Sequence, residues 1–319
     1  MKSLSVPGNL LLLGEYAVTE EGGRGLALAV ERRVSVQVEP ADTLEVEGSW
    51  GSERLRWTRS RPEGSTLITA IVDTWQEHCR ATGPRDSDGD APEAVKAHIL
   101  LDSSAFFSGT RKSGFGSSAA VTVALSCALL SLSGFEGVAL NKAVADISIA
   151  AHRRAQGGRG SGYDVYASLY GGFGCLTGGA KPQWRSVRLP WLPPLYLFRG
   201  PSSVSTPGSL GFYERWKAAG PAAFRRFLEQ SNRNVNEFVK APTWPHARPA
   251  FEQAKRLGLQ LGETIGVPAA IDAPGCLDPG LYKALGAGNE LGIYVAEKQT
   301  TEPEMELVEV AAEGVRWNT

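Results

Sequence analysis

Cysteine and histidine are scarce in this chain of 319 residues, with four residues of each type. The cysteines lie too far apart in sequence to form a metal-binding pair, and the histidines are equally scattered. So few cysteines in so long a chain also argue against a disulfide framework. We therefore expect four reduced thiols, at Cys79, Cys127, Cys175 and Cys276.

The sequence also lacks an excess of either charge and a long apolar run. Its 33 basic and 34 acidic residues give a net charge of −1, so no bulk field attracts nucleic acid or an anionic membrane. Small anionic ligands are not excluded, because a pocket depends on local charge. The longest apolar stretch, residues 119–135, contains Ser and Thr and predicts a buried helix, not a membrane span. We expect a cytoplasmic protein, monomeric or homodimeric, without nucleic-acid or membrane partners.

The length exceeds that of a usual single core, which favours two domains. A proline-rich stretch over residues 181–200 predicts a boundary near residue 185, and so domains of 1–185 and 186–319. Strands mixed with helices, with alternation typical of antiparallel strands, predict the α+β class.

Periodicity and turn signals predict the main elements. Pro7-Gly8 indicates a turn between two strands, residues 43–58 a hairpin turning near Gly48 to Gly51, and residues 94–107 a strand. Helices are expected at 66–79, 118–132, 140–156, 209–218, 221–240 and 247–262, and strands at 268–273, 288–297 and 305–312.

The stretch KSGFGSSAAV, Lys112 to Val121, places a glycine and serine loop at the start of the most apolar helix. Such a loop offers unpaired backbone N–H groups at the positive end of a helix dipole, which is a typical phosphate site. Neither the P-loop pattern nor the dinucleotide-binding glycine pattern is present. The residues alone leave open an ordinary glycine-rich turn before a core helix.

Three other stretches indicate a function only when they are considered together with the glycine loop. PGNLLLLGEYAV, residues 7–18, predicts a strand, a turn and a strand. In GSGYDVYASLYGG, residues 160–172, Asp164 could approach a substrate hydroxyl or cap a helix beginning at Val165. In ALGAGNELGIYVA, residues 284–296, the glycines could form no more than a hairpin turn.

These four stretches, in this order, resemble the motifs of the GHMP kinases, which include galactokinase, homoserine kinase, mevalonate kinase and phosphomevalonate kinase. The resemblance spans nearly the whole chain. It implies a two-domain GHMP kinase fold, with an N-terminal domain like ribosomal protein S5 domain 2 and a ferredoxin-like C-terminal domain. It also implies a transferase that uses ATP and Mg²⁺.

Within the family the chain is most similar to the phosphomevalonate kinases of the fungal and bacterial type. His152 stands where mevalonate kinases have a metal-binding Glu, and Gln156 where they have a His. This implies conversion of 5-phosphomevalonate to 5-diphosphomevalonate in the mevalonate route to isoprenoids. Asn9 departs from the family lysine of the first motif, so another small acceptor, such as mevalonate or a sugar phosphate, stays open. A non-catalytic relative that binds a ligand is the third reading.

The resemblance also implies site residues. Asp164 would orient the acceptor, and Lys112 would supply positive charge beside the loop. The ATP phosphates would lie on the backbone of Gly114, Phe115, Gly116, Ser117, Ser118 and Ala119, with Mg²⁺ on the hydroxyl of Ser117 or Ser118. The expected acceptor contacts are Asn9, Glu15, Tyr16, Ser161, Gly162, Arg199, Ser205 and Thr206.

Overall fold

The computed structural model describes residues 2–50, 53–62, 65–82, 95–109, 111–201, 206–274, 277–298, 302 and 304–318. The chain forms two compact units, both discontinuous in sequence. Unit 1 comprises Met1–Asn9, Ala29–Gly171 and Ala311–Thr319, and unit 2 comprises Leu10–Leu28 and Gly172–Val310. The α+β class is confirmed, while the division at residue 185 stays a prediction.

The strands are β1 (Lys2–Leu13), β2 (Arg24–Pro40), β3 (Glu45–Trp50), β4 (Glu53–Thr58), β5 (Ala97–Asp102), β6 (Phe107–Ser108), β7 (Arg111–Lys112), β8 (Phe173–Thr177), β9 (Gln183–Val187), β10 (Leu195–Arg199), β11 (Tyr282–Leu285), β12 (Leu291–Val295), β13 (Glu306–Leu307) and β14 (Arg316–Asn318). The helices are α1 (Thr66–Thr82), α2 (Ser117–Leu132), α3 (Gly137–Ala155), α4 (Tyr163–Tyr170), α5 (Thr206–Ala219), α6 (Pro221–Lys240) and α7 (Trp244–Ile265).

Unit 1 combines a sheet with helices α1 to α4. The strand order is β14-β1-β2-β5-β3-β4, in which β3 and β5 run parallel and the β3–β4 pair is the predicted hairpin. Helix α2 packs against α1, α3 and α4. Every residue of α2 from Ala119 to Leu130 is buried, which explains why its sequence is apolar on all sides.

Strand β1 is continuous through Pro7 and Gly8, so the turn predicted there is wrong. Proline lacks a backbone donor and fits a strand only where none is needed. The pairing of β14 with β1 runs from Ser3 to Ser5, so Pro7 lies beyond it. Gly8 serves a close approach and not a turn. A Cβ at this position would lie 2.3 Å from the carbonyl oxygen of Phe115. Because Gly8 has no side chain, the glycine loop can pack against β1 at this position.

Unit 2 contains an antiparallel sheet of order β11-β12-β10-β13, together with helices α5, α6 and α7. The first five residues of β2 pair with β8, which pairs with β9. Helices α6 and α7 pack against each other, and the apolar face of α6 buries Phe227, Val235 and Phe238. Phe238 and Trp244 pack edge to face, which adds to the burial energy of this core.

Some predicted elements differ from the structure. Residues 268–273 form no strand; instead the side-chain amide of Asn289 donates to the carbonyl of Ala270 at 2.8 Å. Ser104 to Phe106, predicted as strand, form a short 3₁₀ turn. Gly48, expected near the hairpin turn, lies within β3, and Gly51 lies outside the described residues. No helix in the described ranges has the length and apolarity to cross a bilayer.

Candidate active site

The glycine loop leads directly into α2. Gly114 and Gly116 have φ angles of 85° and 70°, in the left-handed region that favours glycine. The first hydrogen bond of the helix runs from the Ala120 N–H to the Gly116 carbonyl. The N–H groups of Ser117 to Ala119 therefore have no acceptor within the helix, as at any helix start. They provide the backbone donors that an anion site requires.

Asn9 holds the glycine loop through hydrogen bonds of its side chain. Its side chain is only 3% exposed, and its amide nitrogen donates to the Gly116 carbonyl at 3.2 Å and to the Ser168 hydroxyl at 3.1 Å. A Cβ at Gly116 would lie 2.4 Å from the Asn9 amide atoms, so no larger residue fits there. Asn9, at the position where the resemblance to GHMP kinases implies a lysine, thus holds the loop and α4 together.

Phe115 anchors the loop through its buried ring and its backbone carbonyl. Its ring is buried, and its carbonyl accepts from the backbone N–H of Asn9 at 2.9 Å. The guanidinium of Arg32 lies 5.9 Å from the ring centroid, within the range of a cation–π contact. Contacts at Phe115 and Gly116 thus hold the loop against β1.

Asp164 lies in the first turn of α4, which begins at Tyr163 with Gly162 as its N-cap. The alternative in which Asp164 caps a helix starting at Val165 is therefore wrong in position. One carboxylate oxygen still accepts from the Val165 N–H at 2.9 Å. The side chain is 20% exposed, so a small molecule could reach the carboxylate.

His152 connects Asp164 with the loop. Its Nδ1 lies 3.3 Å from a carboxylate oxygen of Asp164, and its Nε2 lies 3.2 Å from the Ser118 hydroxyl. These residues and Asn9 all belong to unit 1. Unit 1 by itself thus brings together the predicted phosphate loop, the predicted acceptor-orienting carboxylate and the residue of the altered first motif.

Other predicted site residues of unit 1 lie in nearby elements. Lys112 is exposed on β7, two residues before Gly114, and its backbone pairs with Phe107. Ser161 is buried and its hydroxyl accepts from the Tyr163 N–H at 3.4 Å. The roles predicted for Lys112, Ser161 and Gly162 stay predictions.

Glu15 and Tyr16 belong to unit 2. Tyr16 has a φ of 63° and sits at the centre of a γ-turn, in which the Ala17 N–H donates to the Glu15 carbonyl at 2.7 Å. This backbone conformation is strained for a residue other than glycine. The Tyr16 hydroxyl donates to the Ala287 carbonyl at 2.7 Å, which joins the first motif to the glycine turn between β11 and β12.

A cavity of about 260 Å³ lies beside these residues within unit 2. Glu15, Tyr16 and Lys283 line it, and the buried Lys283 ammonium pairs with Glu15 and donates to the Leu12 carbonyl. Burial raises the pKa of Tyr16 to about 12. Arg199 is exposed at the end of β10 in this unit. Ser205 and the side chain of Thr206 lie outside the described residues.

The predicted protein ligands of Mg²⁺ are the hydroxyls of Ser117 and Ser118. Among the described residues, no group of three or more His, Cys, Asp or Glu could hold a metal ion. A Mg²⁺ ion that is bound mainly by phosphate oxygens and water needs few protein ligands. The hydroxyls of Ser117 and Ser118, at the start of α2, are oxygen donors of the suitable kind.

Ser168 has no role among the residues predicted from the sequence, although it lies four residues after Asp164. This spacing places both side chains on one face of a helix, and that was the available signal. In the sequence, His152 is visible only as a replacement for the Glu of mevalonate kinases, and nothing local links it to Asp164.

The comparisons agree with the resemblance read from the sequence. The GHMP kinases N terminal domain matches residues 78–172. The chain is 28% identical over 175 residues to a phosphomevalonate kinase of Saccharolobus solfataricus, covering 54% of this chain and 48% of the relative. It is 30% identical over 181 residues to a phosphomevalonate kinase of a Streptomyces species, covering 52% and 47%.

One solved structure is that of Streptococcus pneumoniae phosphomevalonate kinase in complex with phosphomevalonate and AMPPNP. It matches with a TM-score of 0.70 at 14% identity, with all of both chains covered. The two-domain GHMP kinase fold is thereby confirmed. The aligned segment spans about half the length of the two curated relatives.

Proposed function

We propose that this chain, which carries a GHMP kinase N-terminal domain over residues 78–172, is an ATP-dependent phosphomevalonate kinase. It would transfer the γ-phosphoryl group of ATP to 5-phosphomevalonate and release ADP and 5-diphosphomevalonate. The observation that carries this proposal is the contact chain from the glycine loop through His152 to Asp164 within unit 1. The names of the two curated relatives support the acceptor.

The donor would bind on the loop. The N–H groups of residues 117–119 would donate to the ATP phosphates at the positive end of α2, which disperses their negative charge. Lys112 would add a cation beside the loop. The hydroxyl of Ser117 or Ser118 would help to hold Mg²⁺, and the ion would supply positive charge to the phosphoryl group during transfer.

The acceptor would face Asp164. A phosphate monoester is already largely ionised at neutral pH, because its second pKa is about 6. The carboxylate therefore has less need to act as a strong base, and its part is to orient the acceptor for in-line attack. Ser161 and Gly162, next to Asp164 in sequence, would contact the acceptor, and Glu15, Tyr16, Arg199, Ser205 and Thr206 stay candidates.

A second acceptor is favoured by one observation. The amide of Asn9 is committed to Gly116 and Ser168, so no lysine ammonium stands at this point of the first motif. A kinase without that cation could act on mevalonate or on a sugar phosphate.

The test is ADP release by the full chain with Mg²⁺-ATP and each of three acceptors: 5-phosphomevalonate, mevalonate and a sugar phosphate. The proposal predicts the highest kcat/KM for 5-phosphomevalonate. Turnover of another acceptor alone would move the assignment to the second candidate. If no acceptor were turned over while a ligand raised the Tm, the protein would be a non-catalytic binder.

A further inference from the structure

We propose that His152 is a positioning residue that holds Asp164 and Ser118 in fixed relation across the site. This inference rests on the kinase function proposed above and gives a role to a residue that stood only as a replacement in the sequence. His152 does not touch the reacting groups in this scheme. It acts through the carboxylate and the hydroxyl that would.

The imidazole makes three polar contacts. Nδ1 lies 3.3 Å from the Asp164 carboxylate. Nε2 lies 3.2 Å from the Ser118 hydroxyl and 3.0 Å from the side-chain nitrogen of Gln156. His152 is only 5% exposed, so water competes little for these contacts.

The contacts select one tautomer. The amide nitrogen of Gln156 can only donate, so Nε2 of the neutral ring accepts. The ring proton is then on Nδ1, the nitrogen that lies 3.3 Å from a carboxylate oxygen of Asp164. The tautomer that these contacts assign therefore places an N–H group, and not a lone pair, beside the Asp164 carboxylate.

The ring also lies where three helix ends meet. His152 is in the last turn of α3, Asp164 in the first turn of α4, and Ser118 in the first turn of α2. One side chain thus couples the helix that would carry the ATP phosphates to the helix that would carry the acceptor-orienting group. Phosphoryl transfer depends on this alignment, because misplacement of a reacting group by about 1 Å can cost roughly 10²-fold in rate.

The side-chain chemistry offers matched variants. The amide of Asn can place a donor near the position of Nδ1, whereas the longer Gln side chain reaches the position of Nε2. His152→Asn therefore can keep the contact to Asp164, and His152→Gln can keep the contact to Ser118. His152→Ala removes both. Arg154→Ala is the control, since Arg154 lies in the same turn of α3 and pairs with Glu77 on the surface.

The experiment measures kcat, the KM for ATP, and the affinity for a non-hydrolysable ATP analogue in all four variants. We expect His152→Ala to lower kcat at least tenfold, with the KM for ATP and the analogue affinity changed by less than about threefold, because the loop amides remain. His152→Asn should recover more of kcat than His152→Gln, and Arg154→Ala should match the wild type.

Equal kcat in His152→Ala and the wild type would overturn the inference and leave the proposed function standing. If His152→Ala did not fold, equal kcat values in His152→Asn and His152→Gln would overturn it. A fall in analogue affinity as large as the fall in kcat would show a structural role only. A wild-type protein that turned over no acceptor would overturn the proposed function, and this inference with it.

Discussion

The side-chain amide of Asn9 donates to the main-chain carbonyl of Gly116, 107 residues further along the chain. The loop that would hold ATP is therefore held by Asn9, the residue at the position where the resemblance to GHMP kinases implies a lysine. Because Gly116 has a φ of 70° and packs directly on the Asn9 side chain, the two residues constrain each other.

Asn9→Asp tests this relationship. A carboxylate cannot donate to the Gly116 carbonyl and would face its oxygen in a buried site. We expect a loss of about 1–3 kcal/mol in the free energy of unfolding, which is the cost of an unsatisfied buried polar group. Urea denaturation measures it. Asn318→Asp, where the amide of an exposed residue donates to the Ser3 hydroxyl, is the control and should change stability little. An unchanged midpoint for Asn9→Asp would show that the bond to Gly116 is unimportant.

Asp164→Asn tests the acceptor-orienting group. The amide retains the shape but loses the charge, so we expect kcat to fall by about 10²-fold or more, with nucleotide affinity nearly intact. Steady-state kinetics and titration with an ATP analogue provide the two readouts. Asp146→Asn on α3 controls for the loss of a carboxylate elsewhere. Wild-type turnover in the Asp164 variant would remove this residue from the mechanism.

Lys112→Met tests the predicted cation beside the loop. If the ammonium stabilises the transferred phosphoryl group, its loss should weaken transition-state binding by about 3 kcal/mol, or roughly 10²-fold in kcat/KM. Lys142→Met, on the exposed side of α3, is the matched control. Equal kcat/KM in the Lys112 variant and the wild type would return this lysine to an ordinary surface role.

Cys127 makes the free energy of unfolding depend on pH in the alkaline range. The thiol is buried in α2, and burial raises its pKa to about 12 from an ordinary value of 9.0. Above pH 9.0 the unfolded chain loses this proton while the folded chain keeps it until about pH 12. The stabilisation is therefore complete below pH 9.0 and declines as the pH rises toward 12, by up to about 1.4 kcal/mol per pH unit.

Cys127→Ala should flatten this decline, as measured by urea denaturation on both sides of pH 9.0. Tyr16, whose pKa is also raised to about 12 from 10.0, contributes only above pH 10.0 and stays in both proteins. Parallel pH profiles for the variant and the wild type would contradict a buried, neutral thiol. The other described cysteines, Cys79 and Cys175, are free thiols, and Cys276 lies outside the described residues.

Local patterns predicted much of the fold. Helix α2 was expected at residues 118–132 and occurs at Ser117–Leu132, because the run is mostly apolar and Gly116 ends the preceding loop. Helix α6 was expected and found at 221–240, where Pro221 fits the first turn and the apolar residues recur at helical spacing.

Long-range contacts were beyond the reach of local patterns. Pro7-Gly8 is a turn signal by composition, yet Gly8 serves the approach of Phe115 from more than a hundred residues away. Residues 268–273 have strand character, but the Asn289 side chain takes the carbonyl of Ala270. Family motifs indicated Gly116 and Asp164 separately. The contacts that link Ser118, two residues after Gly116, to Asp164 through His152 are visible only in the structure.

A crystal structure with a non-hydrolysable ATP analogue and 5-phosphomevalonate tests most directly whether the loop and Asp164 form one phosphoryl-transfer site. We predict phosphate oxygens of the analogue about 2.7–3.2 Å from the backbone nitrogens of Ser117 to Ala119, with the acceptor phosphate directed toward Asp164. A nucleotide bound away from Gly116, or an acceptor remote from Asp164, would contradict the assignment.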